Sequence, residues 1–368
     1  MASLTINSDQ KKNTVIHILW DGDFGGIQRI VKSVFLDDAS FPFRHITIIA
    51  GHFGPLIGPA GGRYCLGMKN GFDFVAFSKL WKILKNLPDS ILVYHLDTPI
   101  FRLFFPKNMP LIYLEHGCTA KRDKYISINK ILGMRFFRHA EKIVCISKQI
   151  QKVFISLLPQ YASKTMILNN PVAIPFSKPR TNPGNPAAIG FIGRFSPEKG
   201  PKEFIKCASR LHSKYPELRF KMIGDGPQLQ ECKDQAKQAG ILIEFTGNSD
   251  DISRELESID IVAVSSLKDA FNMVVVEAMA RGVPVASYPV GGIPEIITDN
   301  ETGLLSHAAG PEALAHSIER ILFEEGLYKK LSANAFSHAR ERYGLLEYRK
   351  RWEDILSKAA LPLAKEKT

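Results

Sequence analysis

Gly190-Phe191-Ile192-Gly193-Arg194-Phe195-Ser196-Pro197-Glu198-Lys199-Gly200 is an apolar run that breaks into a glycine turn and then into helix-starting chemistry. Ala188–Ile192 reads as a strand, and the turn behind it lets backbone approach a ligand closely. The helix that follows offers free N–H groups to an anion, and Arg194 and Lys199 stand where two cations can hold a diphosphate. By itself the segment is equally readable as a tight strand–helix turn with solvated charges.

The same pattern recurs on both sides. Downstream, Arg219–Ile223, Ile243–Thr246, Ile259–Val264 and Val283–Ser287 read as strands. Upstream, Val15–Trp20, Ile46–Ala50, Ile91–His95, Leu111–Leu114 and Lys142–Ile146 do so, with helical spacing over Ile27–Leu36 and Phe77–Asn86. Most runs are apolar on both faces, as parallel strands covered by helices are. Strand–helix alternation in each half predicts an α/β protein of two doubly wound domains. At 368 residues the chain exceeds what one core serves. Pro175–Pro186, with four prolines and a glycine, cannot sustain a helix or a central strand. We therefore expect a domain over residues 1–178, a linker at 179–187, a domain over 188–342 and a C-terminal helix and tail at 343–368. That last helix carries apolar Leu346, Trp352, Ile355 and Leu356.

Three further turns lie at strand ends of the second half. Met222-Ile223-Gly224-Asp225-Gly226-Pro227 is one, and Tyr288-Pro289-Val290-Gly291-Gly292-Ile293-Pro294-Glu295 is another, with Glu295 read as a cap of its own helix. The third is Asp269-Ala270-Phe271-Asn272-Met273-Val274-Val275-Val276-Glu277, a loop acid eight positions before a helix acid. Carboxylates accept well from vicinal hydroxyls, so Glu277 suits a ribose and Asp269 a hexose; an N-capping acid and a solvated Glu give the same spacing. In open parallel sheets ligands bind at the carboxyl edge, and all four turns converge there.

Charge is unevenly divided. Residues 1–178 hold 23 Lys and Arg against 11 Asp and Glu, whereas residues 179–368 hold 25 against 26, so the net +11 lies in the first half. A field of that sign faces something anionic, such as a membrane surface or a phosphorylated acceptor. Lys121–Arg138 interleaves six cations with apolar residues and suits an anionic leaflet or a packed helix equally. Phe77–Asn86, with Lys79, Lys82 and Lys85, reads as a packed helix with a solvated cationic face. No apolar run reaches the ~18 residues of a membrane span. The polar start has no leader-like apolar core, and five cysteines without a C-x-x-C pair suit reduced thiols and a cytoplasmic setting. Asp21-Gly22-Asp23 has the look of a metal-binding D-x-D but is read as turn chemistry. No strand runs into G-x-G-x-x-G, which excludes the usual nicotinamide fingerprint. A nucleic-acid binder leaves the four ligand-type turns in the near-neutral half unexplained.

Taken together, GRFSPEKG, the GDGP turn, FTGN, DAFNMVVVEAMARGVPV and GGIPEI resemble, in order and spacing, glycosyltransferase family 4. Upstream, Gly25-Gly26-Ile27-Gln28-Arg29 is similar to that family's early glycine loop, Glu115-His116-Gly117 to its His-Gly segment, and Ser147 and Asn169-Asn170-Pro171 also match. The resemblance spans roughly residues 15–357. It implies a GT-B protein: two Rossmann-like domains facing across a cleft, the C-terminal helix crossing back to the first. It further implies a retaining transferase that uses a nucleotide-diphosphate sugar, UDP- or GDP-linked, with no metal and no other cofactor. Carried over by position, Gly193, Arg194 and Lys199 address the donor diphosphate and Glu277 the ribose. Asp269 and the backbone of Phe271, Asn272, Met273 and Val274 address the sugar and its phosphates. Thr246, Gly247 and Asn248 lie where the nucleobase is expected. His116 stands beside the reacting carbon, and Gly25, Gly26 and Gln28 line the acceptor side. The implied catalytic set is His116, Asp269, Arg194 and Lys199.

Two departures stand out. Asp269 occupies a position that is usually Glu, and Asn272 one that is often Gly, which alters the sugar pocket or weakens the activity. A catalytically silent GT-B protein acting as a basic membrane-associated module is the competing expectation. The implied setting is peripheral, on the inner face of the cell membrane. The implied task is extending a glycan or lipid-linked acceptor in polysaccharide or lipopolysaccharide synthesis, without nucleic acid.

Overall fold

In the computed structural model the described residues are 14–23, 25–37, 41–69, 73–96, 105–106, 109–117 and 137–365. The chain divides into two compact units. The first comprises Met1–Ile146, Ile150–Leu168 and Tyr348–Thr368, and the second Ser147–Gln149 and Asn169–Glu347.

The first unit is a seven-stranded parallel sheet. Its strands are β1 (Thr14–Leu19), β2 (Arg44–Ile49), β3 (Arg63–Cys65), β4 (Ser90–Tyr94), β5 (Leu111–Glu115), β6 (Ala140–Cys145) and β7 (Thr165–Ile167), in the order β3-β2-β1-β4-β5-β6-β7. The interior strands β4 and β5 are buried along their whole length, as a sheet covered on both faces requires. Gly26–Val31 is α-helical and passes directly into a π-helical turn, Lys32–Leu36. The closing helix, Leu345–Lys365, is part of this unit from Tyr348 onward. Trp352 is fully buried and meets Phe35 edge to face at 5.5 Å, while Arg349 Nη2 donates to the Ser33 carbonyl at 2.8 Å. Leu346, expected among the apolar residues of this helix, is exposed.

The second unit is a six-stranded parallel sheet. Its strands are β8 (Ala188–Ile192), β9 (Arg219–Ile223), β10 (Ile243–Gly247), β11 (Ile261–Val264), β12 (Val285–Ser287) and β13 (Leu304–Leu305), in the order β10-β9-β8-β11-β12-β13. The order reverses between β8 and β11, which is the topological switch point of a doubly wound sheet. Helices Pro201–Lys214 and Pro311–Phe323 pack against the sheet, burying Phe204, Leu211, Leu314 and Ile318 with Phe220 and Met222.

Candidate functional site

The second unit's switch point gathers most of the expected donor-site residues. Arg194 and Lys199 follow β8, and Asp269 follows β11, so acid and cations approach from the two strands that flank the reversal. The loops are stitched together by main chain. Leu267 and Lys268 donate to the Glu198 carbonyl at 2.8 and 3.1 Å, and Ser265 Oγ donates to the Gly200 carbonyl at 2.8 Å. Gly200 is left-handed, φ 63°, and a Cβ there would stand 2.1 Å from the Ser265 carbonyl oxygen, so only glycine permits the approach.

Within this frame Lys199 Nζ donates to Asp269 Oδ2 at 2.7 Å, and Asn272 Nδ2 donates to the same oxygen at 2.7 Å. The Asp269 side chain is 6% exposed and that of Lys199 31%. Asn272 also caps the helix Met273–Ala280, its Oδ1 accepting from the Val275 amide at 3.2 Å. The two departures from the family pattern are therefore one arrangement. An acid with a shorter arm is met by a side chain where glycine is frequent, and that side chain belongs to the helix cap. Phe271 is buried against Tyr343, ring centroids 5.8 Å apart, so its side chain is taken up in packing. Glu277 is buried on the helix, and Arg194 is exposed at the turn.

Around this centre the other turns are braced. Gly224 donates to the Gly247 carbonyl at 2.7 Å, tying the GDGP turn to the Thr246–Asn248 segment, where Thr246 and Asn248 are exposed. Gly291, φ 62°, touches the Asp269 main chain so closely that a Cβ would lie 1.7 Å from its carbonyl oxygen. Glu295 does not cap its own helix through its side chain. Its carboxylate accepts from the Lys148 and Gln149 amides, both at 2.7 Å, and the first turn of Ile293–Ile296 has no side-chain cap.

In the first unit Asp21 Oδ1 accepts from the Asp23 amide at 3.2 Å and from Gln28 Nε2 at 2.8 Å. The D-x-D look is thus an Asx turn, and Gln28 braces the loop that contains Gly25 and Gly26. His116 follows β5 beside Glu115, which is buried and accepts from the Gly117 amide at 2.9 Å and the Tyr113 hydroxyl at 3.1 Å. Burial holds the His116 imidazole down at about 4. His116 is not alone: its Nε2 lies 3.3 Å from His95 Nδ1, and the file continues through His17 to His45. The sequence reading missed those three histidines. Their spacing carries no periodic signal, and only strand order places them together. The Lys121–Arg138 stretch lies outside the described residues apart from Phe137 and Arg138.

The helix Phe74–Lys85 buries Ala76, Phe77, Leu80 and Leu84. Its outer face is not only cationic: Phe74 is 80% exposed, Val75 68% and Trp81 48%, among Lys79, Lys82 and Lys85. No helix among the described residues is long and apolar enough to cross a membrane.

Residues 175–338 match the family model described as Glycosyl transferases group 1. An uncharacterised glycosyltransferase of Methanocaldococcus jannaschii is 29% identical over 234 residues, 62% of each chain. A Campylobacter jejuni α-1,4-N-acetyl-D-galactosaminyltransferase, named for an undecaprenol-diphosphate-linked acceptor, is 24% identical over 77% of this chain and 79% of its own. The chain spans less than two thirds of the first of these relatives, 62%. Among solved structures, Anabaena HepE in complex with UDP and glucose superposes with a TM-score of 0.77 at 18% identity, covering 93% of this chain and 99% of that one. The fold is GT-B, as in the solved structures it superposes on.

Proposed function

We propose that this protein is a retaining glycosyltransferase of family 4 type. It moves a sugar from a UDP- or GDP-linked donor to a glycan or lipid-linked acceptor. One observation carries the reading: the cation Lys199 and the acid Asp269 meet at the β8/β11 switch point, with Arg194 exposed in the loop after β8, inside the segment that matches group 1 transferases. Breaking the sugar–phosphate bond sends its electron pair to the departing diphosphate. Arg194, Lys199 and the amides at the start of Met273–Ala280 neutralise that charge as it develops. The acceptor hydroxyl attacks from the face the diphosphate leaves, and its proton passes to the leaving phosphate oxygen. Glu277 takes the ribose hydroxyls, Asp269 the transferred sugar, Thr246–Asn248 the base, and His116 hydrogen-bonds the sugar. Gly25, Gly26 and Gln28 belong to the acceptor side.

The same reading places the protein at the cytoplasmic face of an anionic membrane, in glycan or lipopolysaccharide assembly. The basic first half and the apolar, lysine-flanked outer face of Phe74–Lys85 support it. Incubation with a panel of UDP- and GDP-sugars and lipid-linked acceptors tests the activity, and the absence of both hydrolysis and transfer with every donor would sink it. Cosedimentation with anionic vesicles, lost at high salt, tests the location; indifference to lipid charge would remove it.

A further inference from the structure

Four histidines of the first unit stand in single file across four neighbouring strands. His45 Nδ1 is 2.9 Å from His17 Nε2, His17 Nδ1 is 3.2 Å from His95 Nε2, and His95 Nδ1 is 3.3 Å from His116 Nε2. The strands that carry them, β2, β1, β4 and β5, are adjacent in that order. Register sets the file on a diagonal. His45 pairs with Val15, two before His17; His17 pairs with Val93, two before His95; and Tyr94 pairs with Tyr113, which brings His116 two further on. A step of two residues per strand keeps every side chain on one face of the sheet. The rings do not converge: among the described residues no group of three or more His, Cys, Asp or Glu could hold a metal ion. Phe35 and Phe41 wall the far end, with ring centroids 5.0 and 4.9 Å from His45.

A neutral imidazole has one donor and one acceptor nitrogen, so a file of four has only two proton arrangements. In one, every proton points toward His116, and His45 Nε2 is left as a bare lone pair. In the other, every proton points away, and His45 Nε2–H is left as a buried donor. His45 Nε2 has no hydrogen-bond partner among the described residues. A buried N–H without an acceptor is the rarer and costlier defect, and the face of Phe41 is a weak substitute acceptor. The first arrangement is therefore favoured, and it leaves His116 Nε2 occupied as an acceptor.

We infer that this file fixes the tautomer of His116, presenting it to its site as a neutral ring with the proton on Nδ1, a donor to a sugar hydroxyl. His17, His45 and His95 are positioning residues. The direction of the donor bond rests on the role proposed above for His116; the tautomer does not. Long-range 1H–15N correlation on the 15N-histidine-labelled full chain at neutral pH, assigned with His116→Gln, reads the tautomer directly. The expected pattern is a protonated Nδ1 and a bare Nε2 at His116, and a protonated Nε2 would overturn the inference. His45→Asp supplies an acceptor at the far end and should reverse the file, moving the His116 proton to Nε2 and lowering kcat about 10- to 100-fold with little change in donor KM. If His45→Asp folds and His116 keeps its wild-type tautomer, the inference also fails. Should that variant not fold, the wild-type spectrum decides. A wild-type chain that shows the Nδ1–H form but transfers no sugar supports the tautomer while defeating the transferase reading. An active enzyme with the Nε2–H form does the opposite.

Discussion

Lys199 Nζ lies 2.7 Å from Asp269 Oδ2, joining a side chain from the loop after β8 to one from the loop after β11. A lysine ammonium has three donors, and one is committed here, which aims the charge and leaves two donors for the phosphate oxygens of the proposed donor. The pair is thus both a brace between the loops and a preset cation. Its partners sit in loops that leave neighbouring strands of one sheet, an arrangement that holds a charge in place with little reorganisation.

Lys199→Ala removes the charge and the brace together. We expect kcat to fall roughly 10- to 200-fold, the range set by one charge-assisted hydrogen bond of about 1.5–3 kcal/mol. Steady-state assays with the preferred donor check it, and turnover at the wild-type rate would remove Lys199 from the donor site.

Asp269 and Asn272 should behave as a unit. Asp269→Glu pushes the carboxylate one methylene further, toward Asn272, and Asn272→Gly removes one of the acid's donors and the helix cap. We expect each single variant to lose about 5- to 10-fold in kcat/KM and the double variant to regain part of the loss. That amounts to a coupling on the order of 1 kcal/mol between groups in contact. Strictly additive losses in the four-enzyme cycle would show that the two departures are unrelated.

Gly291→Ala tests the backbone beneath the same acid. The new methyl group has no room against the Asp269 carbonyl, and φ 62° is strained for any L side chain. We expect a drop in thermal midpoint of several degrees, about 2–4 °C for each kcal/mol, together with reduced donor affinity. A midpoint and affinity equal to wild type would mean that the Gly291 turn does not bear on Asp269.

Much of this was legible in the chain. Central strands such as Ala188–Ile192 and Arg219–Ile223 announce themselves because both faces are apolar, and the glycine turns mark their carboxyl ends. The three strands that escaped, β3, β7 and β13, are sheet edges of two or three residues. Segments of two or three residues are too short to show an alternating or continuous apolar pattern. The Lys199–Asp269 contact was invisible because 70 positions separate its partners and only the β8–β11 crossover unites them. The histidine file was hidden for the same reason, carried to an extreme. His17, His45, His95 and His116 have four unrelated sequence contexts, and the file exists only once strand order and register are known.

That file also gives stability a pH dependence. Burial holds His45 and His116 down at about 4, against an ordinary value near 6.5. His17 and His95 are lowered well below it, chiefly by burial and then by their neighbouring histidines. A histidine whose folded value is depressed binds more protons when unfolded, so its contribution is present above about 6.5 and is lost as pH falls toward 4. A displacement of that size is on the order of 3 kcal/mol for a fully buried group. Screening at the two partly exposed end rings reduces it there, and the two interior rings add a loss of the same sign. Chemical denaturation followed at pH 7.5 and at pH 5 checks the sign, the acidic sample unfolding at lower denaturant. Replacing His17 and His95 together by Phe removes two titrating groups and should flatten the difference. Equal midpoints at the two pH values in the wild-type chain would mean that the four rings are not held neutral by burial.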